Sequence, residues 1–236
     1  MVVVEISIGA IRLMTVKTIG FPGRYIQGPG AINQIPTLLR SFNANKAVII
    51  LDEVVNQLNG SMLKDMLTQS GIETSFIIFP GEITPEIVEK LSLEASKLNA
   101  EIILGFGGGK TIDVSKGVAL NCGLPLFIIP TIASNDSSTS RLIVLYNEQH
   151  QVSRVDYMVR NPDIVIVDTE IISKAPIRFF IAGLGDAISK KFEAKQCFEN
   201  QGKNFFGTHL AQTQGGGNFT AQKRQKQKLL ISPYFK

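Results

Sequence analysis

Histidine and cysteine are scarce in this sequence, with two of each among 236 residues. Cys122 and Cys197 make neither a metal-spaced pair nor a disulfide framework, which points to a reducing, cytoplasmic setting. Long apolar runs are missing too. None approaches the ~20 residues that a membrane helix needs, so no membrane partner is expected. The apolar opening MVVVEISIGAIRLM is interrupted by Glu5 and follows no basic stretch, and it reads as neither signal peptide nor anchor. Acidic residues are absent beyond residue 200, where six Lys or Arg occur (203, 223, 224, 226, 228 and 236). Of 24 basic and 20 acidic residues, the first 200 therefore hold 18 and 20, and the net charge of +4 belongs to the tail. A basic tract can bind nucleic acid by neutralising phosphates. No recognised nucleic-acid fold surrounds this one, and no nucleic-acid partner is expected.

What is present is material for a core. Hydrophobic residues make up 44% and charged residues 19%, the balance of a soluble globular protein. The length suits one large domain or two small ones. The runs KAVIILDE (46–53), TSFIIFPG (74–81), AEIILGFGG (100–108), LPLFIIPT (124–131) and PDIVIVD (162–168) are continuously apolar, as in strands buried on both faces of a parallel sheet. Helical patterns lie between them. In TPEIVEKLSLEASKLN (84–99), Thr84 is placed as N-cap and Pro85 at the first helical position, with Leu91, Ala95 and Leu98 on the apolar face. Alternation of this kind predicts a doubly wound α/β sheet with ligands at the carboxyl ends of its strands. RLIVLYNEQHQVSRVDYMV (141–159) departs from the rhythm and reads as a hairpin turning near Asn147–His150. Residues 213–236, with a glycine triplet and a Gln/Lys run, have no sustained apolar period and are not expected to pack.

Three constellations carry chemistry. The first is GFGGGKTIDVSKGVA (105–119), where Gly107, Gly108 and Gly109 separate a strand from a helix expected from about Thr111. Its spacing fits neither the Walker A loop, since residue 104 is Leu, nor G-x-G-x-x-G, since residue 110 is Lys. Glycines still let main-chain N–H groups approach phosphate, the helix offers its positive end, and Lys110 can add charge. The alternative is a plain tight turn. The second is PTIASNDSSTSRLIVLY (130–146), where Asp136 sits among hydroxyls: a place to orient a substrate hydroxyl, or a serine-rich loop with turn-forming Asp and Asn. The third is Asp186 in GLGDAISKKFEA, either a helix-capping or first-turn acid or, given partners, a metal ligand.

Together with GRYIQGPGAI (23–32) and PDIVIVDTEII, these segments resemble the glycerol dehydrogenases of the iron-containing (group III) alcohol dehydrogenase superfamily, over roughly residues 17–200. The related dehydroquinate synthases and glycerol-1-phosphate dehydrogenases share the glycine loop, but their loops after the third strand differ from TIASNDSSTS, so an enzyme of their kind stands as the second reading. The resemblance implies NAD-dependent oxidation of glycerol, or a related small diol, to the ketone. It implies a dehydroquinate synthase-like α/β domain over 17–173 and the start of an all-helical metal-binding domain over 174–212, with 1–16 a non-native extension and 213–236 an aberrant tail. On it, Gly107, Gly108, Gly109, Lys110 and Thr111 hold the pyrophosphate, and Asp52 faces the adenosine ribose and disfavours NADP. Thr131, Ser134, Ser140, Leu142 and Tyr146 line the nicotinamide and its ribose, and Asp136 faces the substrate. Asp186 is the first ligand of a divalent metal, usually zinc, which would stabilise alkoxide as a Lewis acid. The family forms homo-oligomers. Its other two ligands are histidines on later helices, and neither His150 nor His209 matches them, so the expectation is a C-terminally shortened member with little or no turnover by itself, a non-catalytic NAD-binding fragment being the alternative.

Overall fold

A computed structural model describes residues 20–202. The expectations for residues 1–16 and 213–236, and His209, lie outside the described residues.

The chain enters through β1 (Arg24–Gly28) and α1 (Ile35–Ser41), then β2 (Lys46–Leu51). A short α2 (Glu53–Val55) leads through one wide turn into α3 (Ser61–Gln69) and β3 (Glu73–Ile78). α4 (Pro85–Lys97), β4 (Ile102–Gly107), α5 (Gly109–Cys122) and β5 (Leu126–Pro130) follow. The hairpin of β6 (Leu142–Tyr146) and β7 (Val152–Tyr157) precedes β8 (Ile164–Asp168), α6 (Thr169–Ser173) and α7 (Ile177–Glu199). Six strands form a parallel sheet in the order β1-β8-β5-β4-β2-β3, and β6 and β7 pair antiparallel beside it. The five apolar runs are its five inner and edge strands β2, β3, β4, β5 and β8. β1 is an addition that its short, half-exposed RYIQG did not signal.

Alternate side chains of the strands build two cores. Val48, Ile50, Ile103, Ile128 and Val165 pack on one face against Val88 and Leu91 of α4 and Val114 and Val118 of α5. Ile49, Leu51, Leu104, Phe127 and Ile166 pack on the other face against Leu38 and Leu39 of α1 and Leu63 and Leu67 of α3. Burial on both faces is the reason the strands read as continuous apolar runs. Among the described residues, no helix is long and apolar enough to cross a membrane.

Thr84 caps α4 as its sequence predicts, its Oγ1 accepting from Ile87 N at 3.3 Å, with Pro85 at the first position. Thr84→Ala should cost about 1 kcal/mol in urea unfolding, the usual worth of a hydroxyl N-cap.

α7 carries no fully buried residue, and Ile177, Ile181, Ile188 and Phe192 are exposed along it. It touches the rest of the fold at Gly183, where an added Cβ would strike the Ala133 carbonyl oxygen. The absence of a side chain there lets the helix backbone rest on the loop after β5.

Candidate functional site

Connections from β2 and β4 run to opposite sides of the sheet: β2 leads outward to the edge strand β3, and β4 leads toward β5. The two are neighbours, so their carboxyl ends flank a crevice, the place where open α/β sheets bind ligands. A cavity of about 1050 Å³ opens there, lined by Asp52, Gly108, Gly109, Lys110, Thr111 and Thr131 among others.

Helix N-termini around this crevice differ in one respect. Asp52 caps α2 by accepting from Val55 N at 2.9 Å, and Asp168 caps α6 by accepting from Glu170 N at 3.0 Å. The N-cap of α5 is Gly108, which has no side chain to offer. First-turn N–H groups of a helix have no partner within it. At α5 they face the cavity together with the positive end of the helix dipole, a ready place for an anion. A Cβ on Gly107 would sit 2.7 Å from Thr111 Cβ, and one on Gly108 would sit 2.9 Å from Ile132 Cδ1. The glycines thus keep open a cradle that side chains would fill. α5 begins at Gly109, two residues before the start expected from sequence, which places the triplet itself at the helix mouth.

Asp52 stands across the cradle, with Thr111 Oγ1 donating to its Oδ2 at 3.4 Å. The glycine turn and the acid at the end of β2 are therefore braced to each other. Lys110, expected to add charge, turns to Glu82 instead: its Nζ lies 2.9 Å from both Glu82 oxygens and 5.4 Å from the Tyr146 ring centroid. His150 Nδ1 reaches the same carboxylate at 2.8 Å, tying the hairpin tip to it. The hydrogen bond from Lys110 is the main cause that holds the Glu82 carboxyl below its ordinary value.

The second constellation lies beside the cavity. Thr131 is buried, and its N–H donates to Gly107 O at 3.1 Å. Asn135 Nδ2 donates to Ser134 Oγ at 3.4 Å, and Asn135 Oδ1 accepts from Ser137 N at 3.0 Å, shaping the turn that carries the half-buried Asp136. Ser140 and Leu142 meet at a group that sequence reasoning missed. Lys116, in the middle of α5, has a fully buried side chain. Its Nζ donates to Asp113 Oδ1 (2.9 Å), Ser137 O (2.7 Å) and Leu142 O (2.8 Å), with Ser140 Oγ at 3.3 Å. Burial pushes the Asp113 carboxyl up and the Lys116 ammonium down. Two of the short contacts are to carbonyls, which only accept. The three N–H donors of an ammonium have three acceptors at hand here, an arrangement that suits the ionised pair. The signal was two opposite charges three residues apart in the otherwise apolar TIDVSKGVA. Asp168 was also missed as a site residue. It is buried, accepts from Ile32 N at 3.0 Å and lines the cavity, and its sign was a strand ending in acid, as in β2.

Asp186 corrects an expectation. It lies inside α7, well past Ile177, and so neither caps that helix nor sits in its first turn. Its Oδ1 faces Lys190 Nζ at 3.2 Å, and Glu193 Oε2 lies 3.1 Å from the same ammonium. Partial burial opposes the Lys190 charge, but the carboxylates of Glu193, Asp136 and Asp186 outweigh it and hold the ammonium above the ordinary lysine value. Among the described residues no three His, Cys, Asp or Glu side chains gather to hold a metal ion. The described residues do not fit the divalent metal that the resemblance implied, and Asp186 is matched here by a lysine.

Residues 26–176 match the model of the iron-containing alcohol dehydrogenases. The chain belongs to that family. Among iron-containing alcohol dehydrogenase relatives, the glycerol dehydrogenase of Thermotoga maritima is 40% identical over 192 residues, covering 81% of this chain and 52% of that protein. The glycolaldehyde reductase of Halobacterium salinarum is 34% identical, covering 79% and 51%. The crystal structure of glycerol dehydrogenase from Schizosaccharomyces pombe superposes with a TM-score of 0.74 at 31% identity, over 83% of this chain and 50% of that one. The chain spans about half the length of the curated relatives it matches.

Proposed function

We propose that the crevice between β2 and β4 takes NAD, and that the chain serves the oxidation of glycerol or a related small diol. The observation that carries this reading is the α5 N-terminus, left without a side-chain cap behind three glycines and facing Asp52 across the cavity. NAD, when bound, supplies a hydride acceptor. First-turn N–H groups of α5 and Thr111 would hold the pyrophosphate, with Lys110 free to join once it leaves Glu82. The Asp52 carboxylate would accept from the adenosine ribose hydroxyls. Thr131, Ser134, Ser140, Leu142 and Tyr146 would border the nicotinamide side. Asp136 would accept a hydrogen bond from a diol hydroxyl and so orient it. Homo-oligomers, the assembly expected from the resemblance, belong to the same proposal.

Calorimetry with NAD tests the cleft, and NADH formation from glycerol, with and without zinc, tests the reaction. Absence of NAD binding would overturn the reading. Zinc-dependent turnover lost in Asp186→Ala would place Asp186 at a metal whose other ligands lie outside the described residues. NAD binding without turnover would support a dinucleotide-binding unit that needs further residues for chemistry.

Asp52 also sets a preference within that reading. A fixed carboxylate beside the ribose repels the extra phosphate of NADP. Asp52→Asn keeps an oxygen for the Val55 N–H and should raise NADP affinity relative to NAD by about tenfold, or ~1.4 kcal/mol, in parallel titrations.

A further inference from the structure

The buried pair of Asp113 and Lys116 reaches further than one helix. Lys116 lies seven residues into α5 from Gly109, about 10 Å below the helix mouth at 1.5 Å per residue. Its ammonium fastens the main chain at Ser137 and Leu142 and approaches the Ser140 hydroxyl. The partner carboxylate continues the line, with Asp113 Oδ2 accepting from Val144 N at 3.2 Å. One ion pair thus ties the segment from Ser137 to Val144 to the helix whose first turn lines the cleft. Ile143 anchors the β6 end of that segment in the core, but the loop before it, from Ser134 to Arg141, has no aliphatic or aromatic side chain. Hydrophobic packing therefore cannot set the path of that loop. A buried ion pair is seldom more stabilising than apolar residues of the same size. Its presence here needs a reason other than stability, and the residues it arranges supply one.

We propose that Lys116 is a positioning residue, whose ammonium sets the loop carrying Asp136 and Ser140, and the start of β6 with Leu142, relative to the glycine cradle of the same helix. This rests on the reading of the crevice as an NAD site. The consequence is a division within the ligand. The adenosine and pyrophosphate half meets Asp52 and the α5 N-terminus, which do not depend on the clamp. The nicotinamide half meets the clamped segment.

The test uses Asp113→Asn/Lys116→Met, which removes both charges together and leaves an amide oxygen for the Val144 N–H. It avoids the unpaired buried charge that a single Lys116→Met variant would create. Affinities for NAD and for ADP are measured by calorimetry on the full chain, and amide hydrogen exchange is followed without ligand. We expect ADP affinity to stay within about twofold while NAD affinity falls about tenfold. Exchange over residues 134–146 should quicken by at least about tenfold, with β2 and α4 unchanged. Equal losses for the two ligands would reduce the pair to a general structural role and overturn the proposal. So would unchanged NAD affinity with unchanged exchange over 134–146. Should the parent chain bind neither ligand, the NAD reading fails by itself and exchange decides: selective loosening of 134–146 supports the clamp, and unaltered protection overturns it.

Discussion

Gly108→Asp is expected to abolish NAD binding, by at least about 100-fold, while leaving the fold as stable as before or slightly more so. Gly108 has φ −85° and ψ −173°, close to the φ −84° and ψ 167° of Asp52, which caps α2 through its carboxylate. An aspartate at 108 can adopt the same backbone and cap α5 in the same way, worth a few tenths of a kcal/mol over glycine. Its Cβ meets only the flexible end of Ile132. The carboxylate would then occupy the N–H groups proposed to hold phosphate and repel a second anion, a like-charge contact worth several kcal/mol. Calorimetry against NAD and a urea titration on the same protein separate the two effects. Retained NAD affinity would remove the pyrophosphate from this turn, and joint loss of binding and stability would show that the glycine serves the fold alone.

The largest stability effect should come from Lys116→Met. Removing the ammonium leaves Asp113 buried, along with the Ser137 and Leu142 carbonyls that it served. Breaking one side of a buried pair costs about 3–5 kcal/mol, a large share of the 5–15 kcal/mol that typical domains possess. The loss should also depend on pH in a defined direction. Burial already pushes the Asp113 carboxyl up, and without Lys116 nothing of opposite charge in the pair offsets that. A carboxyl raised in the folded state favours folding while protonated, and that contribution disappears as pH rises through the folded value. The variant should therefore be closer to the parent at pH 5 than at pH 8, as urea midpoints at both values will register. A uniform deficit across that range would mean that Asp113 finds another cation.

Much of the fold could be read from the chain because its physical causes are local. Parallel strands covered on both faces leave unbroken apolar runs, and five of the six sheet strands were marked this way. Thr84 with Pro85 announced a helix start, and the turn near Asn147–His150 announced the hairpin. β1 escaped because an edge strand of five half-exposed residues has no such run. The candidate cleft was legible for a related reason. A glycine triplet between strand and helix, and an acid ending the β2 run, are short-range signals whose meaning depends only on which elements they join.

Partnerships between distant side chains were not legible. Lys110 was free in sequence to face phosphate, and its pairing with Glu82 arises from a separate loop brought beside it. Asp186 read as a helix-start acid because the beginning of α7, nine residues earlier, has no capping side chain to mark it. What the sequence by itself determined was the class of fold, the order of its elements and the turn that can cradle an anion, since periodicity and backbone freedom are properties of neighbouring residues. What only the tertiary structure decided was the wiring: Asp52 to Thr111, Lys110 to Glu82, and Lys116 to the loop bearing Asp136. Those contacts join residues whose approach is set by sheet order and helix packing, and a charge chooses among the partners that packing has already brought within about 3 Å.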